Sequence, residues 1–81
     1  MKAQIIQKHL PGFTGIAWLV KLGTEYYIVS GTSVPFSGWE VLVFPATEDG
    51  QVTDWCEVCG GRGISHEEAI EELEEYVRNK K

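Results

Sequence analysis

Positive charge is scarce in this chain. Seven Lys and Arg face twelve Asp and Glu, giving a formal net charge of −5 and an isoelectric point near 4.9. Lys2, Lys8, Lys21 and Arg62 are scattered, and only Arg78, Lys80 and Lys81 lie close together, where they complement a helix C-terminus. This argues against direct binding to nucleic-acid phosphates, which needs clustered Lys and Arg. Cysteine is scarcer still. Two of them, Cys56 and Cys59, do not make a secreted disulfide framework. Long apolar runs are missing as well. No stretch approaches the ~20 residues of a membrane span. The N-terminal Met-Lys-Ala-Gln-Ile-Ile-Gln-Lys-His holds no apolar segment of signal-peptide length. The expected setting is the cytoplasm, with no membrane partner. Repeats, low-complexity tracts and linkers are also lacking, so residues 1–81 read as one domain with one core. Such a chain is near the lower size at which a core suffices without a staple. Hydrophobic residues at 43%, including nine aromatics, still favour a folded protein over a disordered one.

Hydrophobic periodicity predicts strands followed by one helix. Ile5 and Ile6 suggest a short edge strand, and Pro11-Gly12 a turn. Over residues 16–22, Ile16, Trp18, Val20 and Leu22 share one face, and Ala17, Leu19 and Lys21 the other. Gly23-Thr24 turns the chain into a second strand over 25–30, rich in aromatic and β-branched residues. Residues 31–38, with Pro35 and two glycines, read as a loop. A third strand spans 39–44 and ends at Pro45, which cannot donate a ladder bond. Glu48-Asp49-Gly50 is a hairpin signal before a short fourth strand over 51–55. Ser65 and Glu68 then form a capping box for a helix over 65–79. Its apolar stripe is Ala69, Ile70, Leu73, Tyr76 and Val77, and six glutamates occupy the rest. The predicted fold is α+β: a three- to four-stranded antiparallel sheet with one C-terminal helix packed on one face.

The sharpest chemical pattern is Cys56-Glu57-Val58-Cys59-Gly60-Gly61-Arg62-Gly63. Its form, C-x-x-C-x-G-x-G, resembles the repeat of the cysteine-rich domain of DnaJ-type chaperones, where two such knuckles together hold zinc. One copy offers half of a four-ligand site, so no metal or other cofactor is expected. The residues that would contribute to one are Cys56, Cys59 and His66, with His9 as a fourth or a second chain lending its own pair. Trp55-Cys56-x-x-Cys59 also resembles the thioredoxin pattern superficially. There the first cysteine caps a helix; here the helix starts near Ser65, nine residues on. The glycines before that helix read as a corner between sheet and helix. An anion site is the competing reading, but Glu67 and Glu68 would repel a phosphate.

No catalytic constellation emerges. There is no G-x-S-x-G, and no nucleophile pairs with a base at a recognisable spacing. The chain is expected not to be an enzyme. Its aromatics exceed what one helix-covered sheet face can hide, which predicts an exposed contact patch. Tyr27, Phe36 and Trp39 are its expected members, on the helix-free face or the 30–38 loop. His66, at the first helical position, is expected to be exposed. Glu71 and Glu75 on the acidic helix are expected to steer a partner.

The wording from Gly38-Trp39-Glu40-Val41-Leu42-Val43-Phe44-Pro45-Ala46 through Gly50-Gln51-Val52-Thr53-Asp54-Trp55-Cys56-Glu57-Val58 resembles short open reading frames of bacteriophages, particularly phages of actinobacteria. Gly60 to Ile70 fits the same picture, so the likeness covers about the C-terminal half. It carries no catalytic signature. It implies a phage accessory protein in a host cytoplasm that binds a host or phage protein, with a homodimer as one form of self-association. Two alternatives stand beside it. One is a zinc-linked, dimeric module using Cys56 and Cys59. The other is an acidic mimic that blocks a DNA-binding protein.

Overall fold

A computed structural model describes residues 2–36 and 38–80. The chain forms β1 (Gln4–Gln7), β2 (Ile16–Leu22), β3 (Glu25–Val34), β4 (Gly38–Ala46), β5 (Cys59–Arg62) and α1 (His66–Lys80). The strands make one antiparallel meander in the order β1-β2-β3-β4-β5. The fold class is α+β as predicted, with five strands in place of three or four.

Register explains which side chains meet. Trp18 lies opposite Val29, Val20 opposite Tyr27, and Val29 opposite Val43. These residues share one face, and α1 packs Ala69 and Leu73 against them. Ile70 and Val77 add half-buried contacts, while Tyr76 at the edge of the stripe is 36% exposed. Both bonds of the capping box form. Ser65 N donates to Glu68 Oε1 at 3.0 Å, and Glu68 N donates to Ser65 Oγ at 3.1 Å.

The opposite face is not bare. Ala17, Leu19 and Ile28 are buried there beneath Leu10 and Phe13 from the β1–β2 loop and Val52 from the β4–β5 loop. The sheet is therefore covered by a helix on one side and by two loops on the other.

Three segments differ from expectation. Residues 31–38 are not a loop: β3 continues to Val34 and β4 starts at Gly38, leaving only a short tip. The small size of Gly31 permits this, because a Cβ there would meet Trp39 Cζ2 at 2.5 Å and His66 Cε1 at 2.7 Å. β4 also runs through Pro45 to Ala46. Trp39, Val43 and Pro45 all turn their carbonyls away from β3, accepting from Gly63, Val58 and Thr53. The missing N–H of Pro45 is on that same side, beyond the end of β5, so no ladder bond is lost. Finally, residues 51–55 contribute only an isolated bridge, Ala46 to Val52. The last strand is the glycine knuckle itself, which pairs Arg62 with Glu40 and Cys59 with Val43. An Arg62–Glu40 ion pair at 3.6 Å lies across that register.

Candidate functional site: an aromatic groove on the helix-free face

The loops over the helix-free face do not close completely. Between them lies a groove of about 290 Å³. Its floor is Ser30 and Thr32 of β3 with Leu42 and Phe44 of β4. One wall is Gly12, Phe13 and Thr14, and the other is Trp55. The floor follows from the pleat: these β3 and β4 residues alternate with the core-facing Val29, Val41 and Val43. Phe44 meets Trp55 edge-on with centroids 5.3 Å apart, and Phe13 meets it at 6.5 Å and 50°. Trp55 is thereby held in place yet remains 68% exposed. None of the eight lining residues carries a charge. The combination of aromatic walls with hydroxyls on the floor suits an apolar group with an uncharged polar edge.

The expected contact residues are placed differently from one another. Tyr27 is buried under the helix, because its register opposite Val20 turns it to the core face. Desolvation raises the pKa of its phenol above the ordinary 10.0, and Glu25 adds to that. It cannot form part of an exposed patch. Trp39 is half-buried against the core and tilted on His66 at 6.1 Å. Phe36 alone of the three is free, fully exposed at the β3–β4 tip. Its φ of 65° is in the left-handed region, which costs a non-glycine residue about 1–2 kcal/mol. Glu71 and Glu75 are exposed on α1, across the sheet from the groove. Phe13 and Trp55 were not among the expected contacts. Trp55 reads in sequence as a strand residue, and Phe13 only follows the Pro11-Gly12 turn.

His66 is the largest departure. It is 7% exposed, because the gap left by Gly31 admits its ring. It stacks on Trp18 at 4.6 Å, and Nε2 lies 2.9 Å from Ile16 O. A carbonyl only accepts, so Nε2 bears the proton. The ring ties the helix N-terminus to β2. It is not available to the cysteines as a ligand, and among the described residues no group of three or more His, Cys, Asp or Glu could hold a metal.

The two thiols are free and unlike each other. Cys56 is exposed, and the neighbouring Asp54 carboxylate raises its pKa. Cys59 is half-buried against α1, with Sγ 4.0 Å from Ala69 O. Burial, assisted by Glu72, pushes its thiol up to about 11. Neither environment produces the lowered pKa of a reactive thiolate. A pH effect follows. The folded value of Cys59 is above the ordinary 9.0, so the unfolded chain loses this proton first. Stability from the neutral thiol is complete below pH 9 and is lost as pH rises toward 11. Denaturation of wild type and Cys59→Ala across that window should show their stability difference shrinking. A difference independent of pH would refute this assignment.

The fold and groove together define a small α+β domain with an aromatic recess on its helix-free face. No family model, curated protein or solved structure matches this chain. No helix of the described residues is long and apolar enough to cross a membrane.

Proposed function

We propose that this is a non-enzymatic binding protein that docks another protein at the Phe13–Trp55 groove, with Phe36 as a second contact. The resemblance noted above makes the proposed setting a phage accessory role in a host cytoplasm, with a host or phage protein as the partner. The observation that carries the reading is Trp55, a 68% exposed indole braced by two further aromatics over an uncharged recess. Trp and Tyr dominate interface energetics when they are seated in pockets. The groove has room for a side chain or a short segment and not for a helix, so the partner's contact is an extended or turn segment presenting an uncharged apolar group.

Affinity capture from host lysate, with wild type and a Phe36→Ala/Trp55→Ala double variant as baits, tests this. A protein retained by wild type should be lost by the variant. With that partner purified, Trp55→Ala alone should weaken binding by about 2 kcal/mol or more. Neither substitution touches the core beneath α1, so both baits should remain folded. Equal retention of the partner by the two baits would sink the proposal.

A further inference from the structure

Phe36 and the groove are a knob and a hole on one molecule, and neither is satisfied within it. Phe36 is exposed at 109% of its reference area and also holds a strained φ of 65°. Strain of this type is characteristic of segments shaped for contact. The groove lies near it. Thr32 on the floor is four residues from Phe36 at the β3–β4 tip, at most about 13 Å along the chain. We propose that a second copy of this chain fills the groove, the Phe36 ring of each molecule seating between Phe13 and Trp55 of the other.

Charge selects this pairing over other ways for two copies to meet. The helix carries six glutamates in nine residues, and two such faces repel. By contrast, residues 26–39 contain no Asp, Glu, Lys or Arg, and neither do residues 9–20. These two stretches include the tip and five of the eight groove residues, and the other three, Leu42, Phe44 and Trp55, are uncharged as well. Glu40, opposite Thr32 on this face, is ion-paired with Arg62 at 3.6 Å, so two copies meeting here bring less unpaired like charge together than two helix faces would. Because knob and hole are close on the same half of the molecule, a twofold axis makes both contacts at once and closes the assembly.

Area sets the strength. An aromatic side chain buries about 150–250 Å². Two knobs and two matching recesses therefore hide on the order of 800 Å², below the ~1,200 Å² of a standard interface. The expected dimer is weak and concentration-dependent. It hides Trp55, so it competes with any partner that uses the groove. The self-contact does not depend on such a partner existing.

Sedimentation velocity on the purified full chain, from about 10 μM to about 1 mM, is the test, with the Trp55 indole resonance followed in parallel. Wild type should shift from monomer toward dimer, and the indole signal should move with it. Phe36→Ala removes a ring that is fully exposed, so it should fold normally. It should weaken self-association at least about 30-fold. Thr32→Glu, which places a charge on the groove floor, should do the same from the other side. Phe36→Gly should also be monomeric, yet melt at a higher temperature than Phe36→Ala, because glycine accepts the positive φ. Wild type that stays monomeric to the highest concentration overturns the proposal. So does a Phe36→Ala variant that dimerises as wild type does. Both outcomes are read on purified protein, so they leave the partner reading to its own experiment.

Discussion

Leu73→Ala should remove a large share of the stability of this protein. Leu73 is 0% exposed and packs in the cluster of Trp18, Val20, Tyr27, Val29, Val41 and Val43. Truncating a buried leucine costs about 2–5 kcal/mol, combining lost transfer energy with the residual cavity. Domains of this size have roughly 4–12 kcal/mol in total, at ~0.05–0.15 per residue. The expected fall in Tm is at least ~8 °C, since each kcal/mol shifts a 60–100-residue domain by about 4–8 °C. The site has little means of collapse. The sheet beneath it is tied on both sides by strand pairing, and the helix above is pinned at its start by the His66–Ile16 bond. Tyr76→Ala is the contrast. Tyr76 belongs to the same sequence stripe, but at 36% exposure it borders solvent. Its removal should cost under ~1 kcal/mol. Thermal melts of the two variants check both values, and equal losses would mean that the helix is rotated from the position described.

Leu73 was legible because helix periodicity and a capping box agree on where α1 starts and which way it faces. β2 was legible for the same reason, with an alternation that survives intact as Trp18, Val20 and Leu22 under the helix and Ala17 and Leu19 away from it. What escaped has a common physical origin. Tyr27, His66 and β5 are placed by neighbours remote in sequence. Tyr27 follows the pleat of a strand whose other face is also covered, so composition alone did not say which side was wet. His66 sits beside its cap, where exposure is usual, and is drawn in by the absence of a side chain at Gly31, 35 positions earlier. Cys-Gly-Gly-Arg has no β propensity and pairs because β4 offers an unfilled edge. The groove is assembled from two loops and two strands, none of which carries a local signature of it. Exposed aromatics were foreseen as a quantity. Their location required the register.

Gly60→Ala is expected to be as damaging as Leu73→Ala, for a reason that involves no cavity. Gly60 has a φ of 128°, and a Cβ there would lie 2.3 Å from Val41 O and 2.8 Å from Leu42 Cα. Both obstacles are backbone atoms of the neighbouring strand, so no rotamer change relieves them. Backbone conformations of this kind are essentially closed to side chains and cost about 1–3 kcal/mol even without a clash. With the clash added, β5 must leave β4, and the loss should reach about 3 kcal/mol or more. The adjacent Gly61 separates the local cause from the general one. It has no positive φ, and nothing lies within 4 Å of its added Cβ. Gly61→Ala should therefore change stability by under ~0.5 kcal/mol, or raise it slightly by restricting the unfolded chain. Detachment of β5 has a second readout. Cys59 is the first residue of that strand, and its thiol is shielded against α1. In Gly60→Ala the shield opens, the pKa of the thiol falls back toward its ordinary value, and alkylation of Cys59 at mildly alkaline pH should accelerate. In Gly61→Ala it should remain as slow as in wild type. Slow alkylation in both variants, together with equal stability, would mean that β5 is not held against β4 by the close approach at Gly60.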